Sequence, residues 1–109
     1  MIIILLGLDN CGVMKYAQAS YPIIKDNFQT ILRCVYPAID IDKNSLESED
    51  KLSKHHTIWV EEFLMQNSKI IRDAVASNKL YIAKCHLSYQ TGKVHLLDSL
   101  MNELEISDI

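Results

Sequence analysis

Three cysteines and four histidines are the residues of this chain best equipped for metal or nucleophilic chemistry: Cys11, Cys34, Cys85, His55, His56, His86 and His95. Thiolate sulfur and imidazole nitrogen are the usual zinc donors. Their spacing gathers them poorly. No two cysteines stand as C-x-x-C, so neither a zinc ribbon nor a thioredoxin-type motif is present. His55 and His56 are adjacent, and on a helix adjacent side chains point ~100° apart. Cys85 and His86 are adjacent in an expected strand and point to opposite faces. His95 stands alone. Each of these reads first as a core or surface residue. Cys11 has two readings. At the start of a helix, free N–H groups and the dipole favour a thiolate, which makes the sulfur reactive. The plainer reading is a thiol that only packs. The turn Gly7 to Gly12 could serve as a small-anion or thiol-based binding module, although it spells neither G-x-G-x-x-G nor a P-loop. There is no G-x-S-x-G, and Ser20 and Ser68 read as helix caps. Asp40, Asp42, Glu47, Glu49 and Asp50 fall in one solvated stretch, with no sign of a tuned acid–base pair.

The elements that must position these residues follow from hydrophobic pattern. Ile2 to Leu6 is a short unbroken apolar run, which predicts a strand buried on both faces. Gly7-Leu8-Asp9-Asn10 is turn chemistry, and Asp9 or Asn10 can cap a helix over Cys11 to Ala19. Tyr21-Pro22 breaks that helix. Ile24, Phe28, Ile31, Leu32 and Val35 then form one helical stripe, which Pro37 is expected to end. A helix from Glu49 to Gln66 should bury Trp59 with Phe63 and Val60 with Leu64. A shorter one follows from Ser68 to Ala76, with Asn78 as its C-cap. Leu80 to Leu87 and Lys93 to Leu97 read as a hairpin around Gln90-Thr91-Gly92. Leu97, Leu100, Met101 and Leu104 have the spacing of a short C-terminal helix.

Length and composition bound the rest. The chain has 109 residues, one domain's worth. Hydrophobic residues make up 49% and charged residues 23%, the ordinary globular balance, which argues against disorder. Eleven Lys+Arg against 14 Asp+Glu leave a net charge of −3, so a nucleic-acid partner is not expected. The longest apolar run, Met1 to Leu6, is far short of a membrane span and is not built as a signal peptide. An odd, scattered cysteine set argues for reduced thiols and a cytoplasmic setting.

Three stretches resemble the C-terminal part of a β-class carbonic anhydrase. Ile3 through Lys15 is similar to that family's strand running into a G-H-x-x-C-G turn. Ile31 to Ala38 is similar to the helix that follows. The run Val60 to Leu64, Ser68 to Val75, Leu80 to Ile82 and Thr91-Gly92-Lys93-Val94 looks like the family's long helix, S-x-I-I-x-x-x-V helix, late strand and T-G-x-V turn. The resemblance implies an α/β fold: a short, mainly parallel sheet flanked by helices. It covers residues 1–109 as a single domain, with the N-terminal part of the family domain absent.

The same resemblance implies a zinc enzyme, reversibly hydrating carbon dioxide to bicarbonate, with two cysteines and one histidine on the metal. The first cysteine belongs to a C-x-D-x-R motif, and no C-x-D-x-R occurs in these 109 residues. In the second motif Leu8 replaces the ligand histidine, which leaves Cys11 as the one residual family ligand. Leucine has no lone pair to offer a metal. No zinc or other cofactor, and no catalytic residue, is therefore expected of this chain by itself. The reading is a carbonic-anhydrase-like protein that has lost the reaction; the alternative is an enzyme completed by another chain, with carbon dioxide and bicarbonate its substrates only then. A homo-oligomer or a complex with another chain is expected, without nucleic acid or membrane.

Overall fold

The computed structural model describes residues 1–9, 11–24, 28–97 and the backbone of 103–105. Four strands, β1 (Ile2–Leu8), β2 (Tyr81–Leu87), β3 (Val94–Leu97) and β4 (Glu103–Glu105), form one sheet in that order. β1 and β2 are parallel, in register from Ile2 against Tyr81 to Leu8 against Leu87. The other two pairings are antiparallel. The sheet is α/β as expected, but mixed rather than mainly parallel, because short connections from β2 onward allow only hairpins.

Four helices lie between the parallel strands: α1 (Gly12–Ser20), α2 (Gln29–Ile41), α3 (Glu49–Asn67) and α4 (Lys69–Ala76), with a 3-10 turn at Lys43–Leu46. α3 lies across β1 and β2, and the other three helices pack on α3. None of the helices is long and apolar enough to cross a membrane among the described residues. Ser48 starts α3 by accepting hydrogen bonds from the amides of Asp50 and Lys51. Ser68 both ends α3 and caps α4, accepting from the Ile71 amide at 3.2 Å. Asn78 takes the left-handed conformation, φ 61°, one residue beyond the cap position it was expected to fill.

The core differs from the expected stripe by a rotation of α2. Leu32, Val35, Tyr36, Ala38 and Ile39 are buried, while Ile24, Phe28 and Ile31 stay exposed. They pack with Met14 and Ala17 of α1 and Leu52 of α3. Pro37 lies inside α2 rather than ending it. A proline removes one ladder hydrogen bond, and the buried residues on either side of it hold the helix to Ile41. On α3 the buried residues are Leu52, Ser53 and Thr57; Trp59, Val60 and Leu64 are half-buried and Phe63 is exposed. α3 buries its first half because that half faces α1, α2 and the sheet.

β1 is an edge strand, not a central one, and its burial alternates along its length. Ile3, Leu5 and Gly7 face α3. Gly7 is required there, since a Cβ would come within 2.8 Å of Ser53 Oγ and 3.0 Å of Thr57 Oγ1. Ile2, Ile4, Leu6 and Leu8 face away and are exposed. At the other end of the chain, Leu97 closes β3 and Leu104 belongs to β4, so both ends of the expected helical stripe are strand residues; positions 98–102 lie outside the described residues.

The rotated α2 face sets a simple test. Leu32→Ala should cost roughly 2–5 kcal/mol by urea unfolding, as expected for a fully buried leucine. Ile31→Ala, at a position 45% exposed, should cost less than about 1 kcal/mol.

Candidate functional site

The turn after β1 is held from the sheet and from α3. The Leu8 amide donates to Ser53 Oγ at 3.2 Å. The Asp9 amide donates to the Leu87 carbonyl at 3.1 Å, and Asp9 Oδ1 accepts from the Tyr89 amide at 2.6 Å. Asp9 therefore ties two loops together instead of capping α1, and Asn10 lies outside the described residues. Cys11 is the N-cap residue, but its side chain makes no capping bond. It is half-buried against the core cluster, as a packing thiol would be. Cys85 is buried, and burial pushes its thiol pKa up, while Cys34 is exposed. The three cysteines are unpaired.

Beside this turn an open cleft of about 340 Å³ is lined by Asp9, Asp50, His86, Ser88, Thr91, Lys93 and His95. It sits at the carboxyl ends of β1 and β2, where open α/β sheets place their ligands. His86 is only 3% exposed. Its Nε2 lies 2.6 Å from Asp50 Oδ1, close but off-axis, so neither ring nitrogen has an aligned hydrogen bond. Asp50 also pairs with Lys54 at 3.3 Å and stands in the first turn of α3. The cleft is wide enough for a small polar molecule, with His86 and Asp50 in its wall.

This grouping was missed in sequence. Adjacent Cys85 and His86 do point to opposite faces, but β2–β3 pairing sets His86 directly across from His95. The hairpin turn alone carries enough register to foresee that pair. Nothing in sequence foresees Asp50, which arrives on a helix from elsewhere in the chain. His55 and His56 diverge as expected. His55 Nε2 lies 3.3 Å from Asp42 Oδ2, and His56 stacks on Trp59 at 5.9 Å between ring centroids.

No protein-family model matches this chain, and no curated protein does. A solved structure of the beta-carbonic anhydrase CcaA matches it with a TM-score of 0.62 at 20% identity. The match covers 95% of this chain and 54% of that one. The fold is β-carbonic-anhydrase-like. The chain spans about half the length of that neighbour. Zinc in such a protein needs a donor set, and the described residues gather none. Leu8 offers no donor atom. Among the described residues, no group of three His, Cys, Asp or Glu side chains could hold a metal ion.

A second cleft, of about 230 Å³, runs beside the β1 edge and is lined by Ile4, Leu5, Leu6, His56, Thr57 and Val60. Burial pushes the His56 pKa below the usual histidine value, and a hydrogen bond to the Cys34 backbone opposes that only in part. The fold thus prefers neutral His56. Its stability contribution is complete above the ordinary histidine pKa and is lost as pH falls toward the depressed value. The urea midpoint of the parent protein should drop more between pH 7.5 and pH 5.0 than that of His56→Asn. Equal drops would place the loss elsewhere.

Proposed function

We propose that this chain is a β-carbonic-anhydrase-like protein that does not hydrate carbon dioxide by itself and is left with a structural or interaction role. Leu8 carries the reading. It ends β1 at the position where the resemblance calls for the ligand histidine, and three protein ligands are what leave a zinc one open position for water. Losing even a residue that only orients a ligand costs ~10–100-fold in metal affinity, and losing the ligands themselves costs more. Cys11, the remaining family ligand, packs against the core. A reduced, cytoplasmic setting belongs to this reading and is supported by three unpaired cysteines, one of them exposed.

The second reading is reversible carbon dioxide hydration completed by another chain. The half-length match to CcaA favours it, because a separate chain could supply what this one lacks, the cysteine, aspartate and arginine of C-x-D-x-R included. Metal content separates the two readings: stoichiometric zinc in a purified complex supports the enzyme.

Stopped-flow hydration assays of the purified chain with added zinc should give the buffer rate. A zinc-dependent rate well above buffer would sink the proposal. Leu8→His should not restore turnover, since together with Cys11 it gives only two ligands of three. Micromolar or tighter zinc binding by that variant, together with activity, would mean that other side chains complete the shell.

A further inference from the structure

Among the described residues, β1 pairs with β2 alone. The Asp9 amide donates to the Leu87 carbonyl at 3.1 Å, and the Tyr81 amide to the Met1 carbonyl at 3.0 Å. Backbone groups alternate sides along a strand, so the odd-numbered residues of β1 serve β2. The N–H and C=O groups of Ile2, Ile4, Leu6 and Leu8 therefore point away from β2, out from the sheet. Leu8 bears this out: its amide donates not to β2 but to Ser53 Oγ of α3. For Ile2, Ile4 and Leu6 no backbone partner occurs among the described residues. Ile2–Leu8 also carries no charge, no proline and no bulge, the devices that usually protect an edge. Along the same edge runs the cleft of about 230 Å³ walled by Leu5, His56, Thr57 and Val60. His56 Nδ1 is buried without a hydrogen bond.

We propose that the β1 edge captures an extended segment of another protein as a fifth strand. The inference rests on the interaction role proposed above and names its partner. Strand capture does not depend on turnover, so the hydration assays and the capture experiment fail separately. The backbone sets the chemistry of the occupant. Outward groups recur every second residue, about 6.8 Å apart, and another extended backbone offers donors and acceptors at that repeat. Alternate side chains of the added strand enter the cleft, which is wide enough for valine or threonine. A threonine hydroxyl there would satisfy His56 Nδ1. The segment that fits is thus uncharged and rich in β-branched residues, with a hydroxyl at the cleft. A second copy of this chain fits less well. α3 lies across β1 and β2, so antiparallel pairing of two β1 edges would bring a second α3 to the same flank. The two helices would stand at about the 8–10 Å of packed helices, with His56 and Val60 of both in the gap. A lone strand brings no such bulk.

The probe is a capped peptide of alternating threonine and valine with a lysine at each end for solubility. Amide hydrogen exchange should find Ile4 and Leu6 fast in the free chain and slowed at least tenfold by about 1 mM peptide. Ile3 and Leu5, which serve β2, should be slow in both states. The same peptide N-methylated at every threonine and valine keeps its side chains but loses its backbone donors, and should bind at least tenfold more weakly. Ile4→Pro removes one outward N–H without touching the ladder to β2, as an edge strand tolerates. It should weaken peptide binding at least tenfold with the circular dichroism spectrum kept. Ile4 and Leu6 amides already slow in the free chain, no slowing with peptide, slowing at another edge, or undiminished binding by the N-methylated peptide would each overturn the proposal.

Discussion

The parallel pairing of β1 with β2 is the constraint on which the rest of the molecule depends. It joins Ile2 to Tyr81 and Leu8 to Leu87. Parallel neighbours cannot be linked by a tight turn, so the chain between them must cross over the sheet. The crossover here is the whole helical layer. At Gly7 the absence of a Cβ lets Ser53 and Thr57 of α3 come down onto the strand. Ser53 then accepts the Leu8 amide, and Lys84 of β2 reaches Glu61 of α3 at 2.8 Å. Strand, helix and strand are thereby fixed as one body.

Laying the helices on one face concentrates burial there. The core cluster lies within the helical layer, between α1, α2 and the first half of α3. The opposite face of β1 receives none of it, although its residues are as apolar as those inside. The same geometry gathers the polar cleft. β1 and β2 end side by side, α3 begins above them, and the β2–β3 loop returns beside both. Asp9, Asp50, His86 and His95 come from four different elements and meet because those elements end together. The likeness to CcaA concerns this arrangement of elements. The turn after β1 carries leucine at position 8 and a cysteine held against the core.

Most elements were legible in sequence because local chemistry specified them. Ser48 and Ser68 cap as serines do, Gly92 takes positive φ in the hairpin turn, and Asn78 takes the left-handed conformation after α4. The faces were less legible. Ile24, Phe28 and Ile31 have helical spacing with Leu32 and Val35, but Tyr36 and Ile39 compete for the same role, and only packing against α1 and α3 chooses between stripes. Pro37 misled for a related reason: a proline's local cost is fixed, whereas the burial that outweighs it is tertiary.

The sequence by itself determined the order and type of the elements up to β3, the free state expected of widely spaced cysteines, and a leucine, which offers no donor atom, at position 8. Each of these is a property of a residue or of a short run, so no distant partner is needed to read it. The tertiary structure alone decided that β1 lies at the sheet edge, that its even-numbered side chains face outward, and that Asp50 closes on His86. A run of five apolar residues looks the same whether a sheet covers one side of it or both. Which side is covered depends on where the crossover helices land, and that is set by contacts between residues far apart in the chain.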